Sequence, residues 1–77
     1  MIRELDYIVL TVALAAQRLQ AGDIGTVMMV HEDGRGFEVE FLTLEGETIA
    51  VLTLDALQVR PVRHGEIAHV RPLEAAG

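Results

Sequence analysis

Phe37-Glu38-Val39-Glu40-Phe41-Leu42 alternates apolar and acidic side chains almost residue by residue. A period of two belongs to a β-strand with one face on a core and the other in water, so Phe37, Val39 and Phe41 are expected inside and Glu38 and Glu40 outside. Turn signals flank the stretch on both sides. Upstream, Asp33-Gly34 with Gly36 just beyond marks a hairpin, because glycine tolerates the positive φ that tight turns demand. It joins the strand back to residues 26–31, Thr-Val-Met-Met-Val-His. Downstream, Leu44-Glu45-Gly46-Glu47 marks a second hairpin into residues 48–54. There Ile49, Val51 and Thr53 oppose Ala50, Leu52 and Leu54, so both faces are apolar. A strand of that kind is expected to be central or covered, with Ala50, Leu52 and Leu54 capped by residues 13–19 or by another subunit.

Working outward, residues 5–12 are rich in β-branched and aromatic side chains and read as a first strand. Leu14, Ala15, Arg18 and Leu19 are spaced for one helical face, but the run ends within about two turns at Gly22-Asp23, which predicts a short helix or an ordered loop. Gly22-Asp23-Ile24-Gly25 is a turn cluster in which Asp23 is expected to bond its own loop backbone. Asp55 would cap a single helical turn before a fifth strand at residues 58–60, which Pro61 ends. Pro61, Gly65 and Pro72 then break up the tail, where only residues 67–70 look capable of pairing. Together these elements predict an all-β fold, a small, strongly bent five-stranded SH3-like barrel over residues 1–62. Residues 63–77 would form an irregular tail packing on the barrel or on a partner. Closure suits so short a chain because a curled sheet removes its edges. An OB-like barrel would want a helix between strands three and four, and nothing helical fits there.

Composition narrows the function. Seventy-seven residues make one domain. A chain of this size buries only about 60% of its surface, and with no cysteine it has neither disulfides nor a thiolate metal site to staple it. Yet 51% of its residues are apolar, so part of that surface is expected against another subunit. Twelve acidic against six basic residues give a net charge of −6, with no lysine at all. That balance opposes binding to a phosphate backbone, and one Tyr, two Phe and no Trp offer few rings for stacking bases. The longest apolar stretch, residues 7–16, is far short of the roughly 20 residues of a membrane span and follows Arg3-Glu4-Leu5-Asp6 rather than a basic leader. A soluble cytoplasmic protein is expected, with Met1 and residues 72–77 as natural ends.

No residue stands out as catalytic, cofactor-binding or metal-binding, and no cofactor is expected. His31, Glu32 and Asp33 are adjacent possible ligands, but consecutive strand residues point to opposite faces. A turn at Gly65 could let His64, Glu66 and His69 converge, although a structural zinc site wants four ligands, so an exposed tail is the expectation. Glu38 and Glu40 lie about 7 Å apart on one face, a spacing open to acid–base work only where environments split the two pKa values. With Glu45 and Glu47 nearby they read instead as a solvated acidic face. There is no Ser or Cys to serve as a nucleophile.

Gly22–His31, Phe37–Phe41, Gly46–Leu54 and Gln58–Val62 as a set resemble the small bacterial proteins of the DUF4926 family. The likeness runs from about Asp6 to Pro61 and on towards Pro72. It implies a stand-alone bacterial protein with a small β-barrel and no established function, and it carries over no site residues. More distantly, the Gly-Thr-Val strand, the hairpin and the terminal Arg-Pro are similar to SH3-like barrels such as the nitrile hydratase β-subunit and KOW modules, a likeness of fold alone.

Charge is unevenly spread. Between His31 and Asp55 there are seven acids (Glu32, Asp33, Glu38, Glu40, Glu45, Glu47 and Asp55) and one base, Arg35, whereas residues 58–77 carry three Arg against two Glu. The expected function is therefore a non-catalytic protein–protein interaction or accessory module that self-associates. The contacts would come from Met28, Val30, Ala50 and Leu52, or from the region of Ile8, Leu10 and Leu14, with Glu38 and Glu40 meeting a basic partner. One alternative is an antitoxin-like partner of a protein encoded nearby. A KOW- or Tudor-like nucleic-acid-binding barrel is the other, against which the charge argues.

Overall fold

The computed structural model describes residues 1–73. Five strands carry the fold: β1 (Tyr7–Leu10), β2 (Ile24–His31), β3 (Gly36–Leu42), β4 (Thr48–Asp55) and β5 (Val59–Pro61). They form one antiparallel sheet in the order β4-β3-β2-β1-β5. The all-β, five-stranded reading of the sequence holds, and the only helical pieces among the described residues are short 3₁₀ turns.

The barrel is not closed. β4 and β5 stay at opposite ends of the strand order instead of pairing with each other. β5 is only three residues long, and β1 takes its pairing along Ile8↔Pro61, Val9↔Arg60 and Leu10↔Val59. Pro61 brings no N–H, so little of β5 is left to form a second ladder. The chain accordingly exposes 5702 Å², about a quarter more than the roughly 4,600 Å² of a compact protein of this mass.

The core lies on one side of the sheet. Phe37, Val39 and Phe41 of β3 are buried with Ile8, Leu10, Val27, Leu54, Val59 and Leu19. Gly25 lies among them on β2. A Cβ there would lie 2.5 Å from Val39 Cγ1 and 2.8 Å from Phe41 Cε1, so only glycine lets the Phe41 ring cross the strand.

Several expectations change in detail. The first strand shrinks to Tyr7–Leu10: Leu5 turns to positive φ, and Thr11 leaves the strand with its N–H on the Gln58 carbonyl and its hydroxyl on the Leu57 carbonyl. Of the two alternatives for residues 13–21, the ordered loop is the one formed, and it contains one 3₁₀ turn, Ala15–Gln17. A Leu14↔Leu19 bridge closes that loop, with Arg18 left-handed; Leu19 is buried in the core and Leu14 packs against it. β4 is an edge strand, not a central one. Its Ala50, Leu52 and Leu54 pair with Phe41, Val39 and Phe37, so they share the core side. A register shift between Phe41 and Leu42 adds Ile49 to that side, where it packs against the core. Asp55 does cap the turn that follows, its Oδ1 accepting from the Leu57 and Gln58 amides at 2.8 and 3.2 Å.

Candidate interaction surface

The side of the sheet away from the core follows from the register. Directly paired residues point the same way, so Tyr7, Thr26, Glu40 and Val51 make one outward row across four strands, and Met29, Glu38 and Thr53 make a second. A β-bulge lies between Val27 and Met29, and the extra residue turns Met28 outward as well. Met28, Met29 and Val51 are each about half exposed. Glu40 is oriented by the Thr48 hydroxyl, which donates to its Oε2 at 2.9 Å, and Glu38 lies 3.6 Å from His31 Nε2.

This divides the six residues singled out from the sequence. Glu38, Glu40 and Met28 share the outward side. Val30 and Leu52 pack against the core cluster, and Ala50 is half-buried opposite Phe41, so Met28, Val30, Ala50 and Leu52 make no common surface. Ile8 and Leu10 are fully buried, which removes them from any contact between molecules. Met29 and Val51 belong to the surface and were missed. The bulge that brings Met28 and Met29 to one side has no signature in a Met-Met pair.

The tail is the second distinctive region. Arg60 grips Glu66 in a two-pronged pair, Nη1 to Oε1 at 2.9 Å and Nη2 to Oε2 at 2.7 Å, and the Arg63 amide also donates to Glu66 Oε1. These bonds hold the Glu66 carboxyl down at about 2, Arg60 contributing most. Further along, Arg71 Nε donates to Asp23 Oδ1 at 2.9 Å, and its Nη2 reaches both Asp23 Oδ2 and the Arg18 carbonyl. Burial by itself would raise the Asp23 pKa, but the Arg71 guanidinium and the Gln20 amide outweigh it and lower the pKa. The Gln20 bond, 2.7 Å to Oδ2, is the loop-backbone bond expected of Asp23, whereas the link to Arg71 was not legible.

Because Glu66 is committed to Arg60, it does not converge with His64 and His69, and no group of metal-ligating side chains forms among the described residues. No described tail residue pairs as a strand, residues 67–70 included. Residues 74–77 of the expected tail lie outside the described residues. A half-open cleft of about 600 Å³ is lined by residues of both sheet and tail, among them Val9, Phe41, Val62, Ile67 and Val70.

The family model described as Domain of unknown function (DUF4926) matches residues 4–61. This chain belongs to the DUF4926 family. The match begins just before β1 and ends on the last residue of β5, so the DUF4926 unit is the five-stranded sheet, and the clamped tail lies beyond it. No curated protein and no solved structure matches the chain. Among the described residues no helix is long and apolar enough to cross a membrane.

Proposed function

We propose that this DUF4926 chain is a non-catalytic protein–protein interaction module that engages its partner through the outward side of β2, β3 and β4. The observation that carries this reading is the placement of exposed Met28 and Met29 on β2 and exposed Val51 on β4, flanking Glu38 and Glu40 of β3 on the side of the sheet opposite the core. Exposed apolar side chains on both sides of a pair of carboxylates give one sheet face apolar contact area and charge together, and unbranched Met adapts its shape to a partner. Among the described residues the two carboxyls with displaced pKa values, Asp23 and Glu66, are both lowered and both gripped by arginine. That is the opposite of what a general acid needs, and it fits a structural role.

A partner of another sequence fits this surface better than a second copy does, because each copy carries −6 and most of that charge lies between residues 31 and 55. The test is co-purification with the products of neighbouring genes, comparing the native chain with a Met29→Glu, Val51→Glu variant whose circular dichroism is unchanged. A stoichiometric partner that is retained by the native chain and lost by the variant supports the reading. It is overturned by a partner that binds both chains equally. It is likewise overturned if no neighbouring product is retained and light scattering shows a strict monomer at high micromolar concentration.

A further inference from the structure

The two edges of the sheet are finished differently. β5 ends in Pro61, and Arg60 in its middle is held by Glu66 of the tail. β4 is eight residues long and carries neither charge nor proline between Thr48 and Leu54. Exposed edges of that kind are normally blunted by Lys, Pro, bulges or a covering segment; the register shift at Ile49 lies at the start of β4 and leaves the pairing from Ala50 to Asp55 regular. Which of its backbone groups point outward is fixed by one bond just past its end, the Ala56 N–H donating to the Arg35 carbonyl at 3.2 Å. Antiparallel pairing alternates from there, so Leu54 and Leu52 direct their amides and carbonyls at β3, while Asp55, Thr53 and Val51 direct theirs away. Asp55 is already satisfied, its N–H donating to Gln58 Oε1 at 2.9 Å. For Val51 and Thr53 no described residue takes the outward groups.

We infer that the β4 edge accepts an extended basic segment of a partner protein as a sixth strand, pairing with Val51 and Thr53. This rests on the reading of the chain as an interaction module. The side chains define the occupant. An added strand continues the pleat, so alternate residues would lie beside Leu52 on the core side and beside Val51 and Thr53 on the outward side. On the outward side Val51 and Thr53 are short, and behind them, two strand spacings or about 10 Å from the new strand, lie Glu40 and Glu38. Lysine or arginine in the added strand is long enough to cross the short pair and meet those carboxylates. The partner segment therefore alternates apolar residues with Lys or Arg. A second copy of β4 offers the wrong charge: antiparallel pairing of two β4 strands would bring Asp55 of one copy towards Glu47 of the other at both ends.

The test uses the full chain, labelled with ¹⁵N, and a capped octapeptide of alternating lysine and valine. Two control peptides accompany it, one with glutamate in place of lysine and one N-methylated at alternate amides so that it keeps its charge but cannot form a ladder. The expected result is amide exchange slowed at least about ten-fold at Val51 and Thr53 by the lysine peptide alone. Thr53→Pro, which removes an outward N–H and leaves the pairing with β3 in place, should weaken binding about ten-fold while Thr53→Ala does not. Glu38→Lys with Glu40→Lys should weaken it similarly. Equal binding of the N-methylated peptide, or protection at Val51 and Thr53 that grows with protein concentration without peptide, overturns the inference. The peptide arms decide it even if Thr53→Pro does not fold. A co-purified partner that tolerates Thr53→Pro but is lost on Met29→Glu, Val51→Glu sinks the added strand and leaves the interaction module standing.

Discussion

The sheet and the tail of this chain are held by different physics. Residues 7–61 are joined by antiparallel ladders over a continuous apolar core, and the described core cluster contains no residue beyond Val59. From Pro61 to Val70 every residue is exposed, and the tail is tied down by two arginine–carboxylate clamps, Arg60 with Glu66 and Arg71 with Asp23. Burial of apolar surface is cooperative and hard to breach locally. Ion pairs that keep contact with water, as the partly exposed Arg60–Glu66 and the part-buried Arg71–Asp23 do, add less and are screened by salt. The sheet should therefore behave as one unfolding unit, and the tail as a segment that opens independently.

The strongest way to break this contrast is through the core. Phe41→Ala should cost about 3–5 kcal/mol, enough to unfold much of so small a domain, as measured by urea denaturation. Gly25→Ala comes next: a Cβ forced against Val39 and the Phe41 ring should cost about 1–3 kcal/mol by the same measurement. Ending the chain after Pro61 should leave the five strands intact and lower the melting temperature by less than about 8 °C, because that removes no described core residue. A truncated chain that is unfolded would show the tail to be part of the cooperative unit. Arg71→Ala should change global stability by less than about 1 kcal/mol while markedly increasing proteolytic cleavage and amide exchange in residues 62–73.

The mildest perturbation is pH. Glu66 is held at about 2 when folded against an ordinary 4.5, so its favourable contribution is fully present above pH 4.5 and is lost as the pH falls towards 2. Asp23 is shifted in the same direction. An NMR titration should therefore show the Arg60–Glu66 pair separating only in strong acid, and release near pH 6 would refute the clamp.

The same contrast explains what was legible. Phe37, Val39 and Phe41 announce the core side because strand periodicity is local, and Glu38 and Glu40 follow onto the outer side with no further information. Asp55 and Asp23 were readable as turn-capping residues since their partners lie within three residues. Met29 and Val51 were not readable as surface, because a bulge and an edge position put them there. Nor was Arg71, whose partner Asp23 lies 48 residues away.

By itself the sequence determined five strands, their turns, the β3 part of the core at Phe37, Val39 and Phe41, and the concentration of acidic charge between residues 31 and 55. Those properties depend on side-chain alternation and on glycine and proline at turns, which act over a few residues. Only the tertiary structure decided that the sheet stays open, that β4 is an edge with outward groups on Val51 and Thr53, and that two arginines strap the tail. Those outcomes depend on strand lengths, register shifts and contacts between distant residues, and local patterning does not encode them.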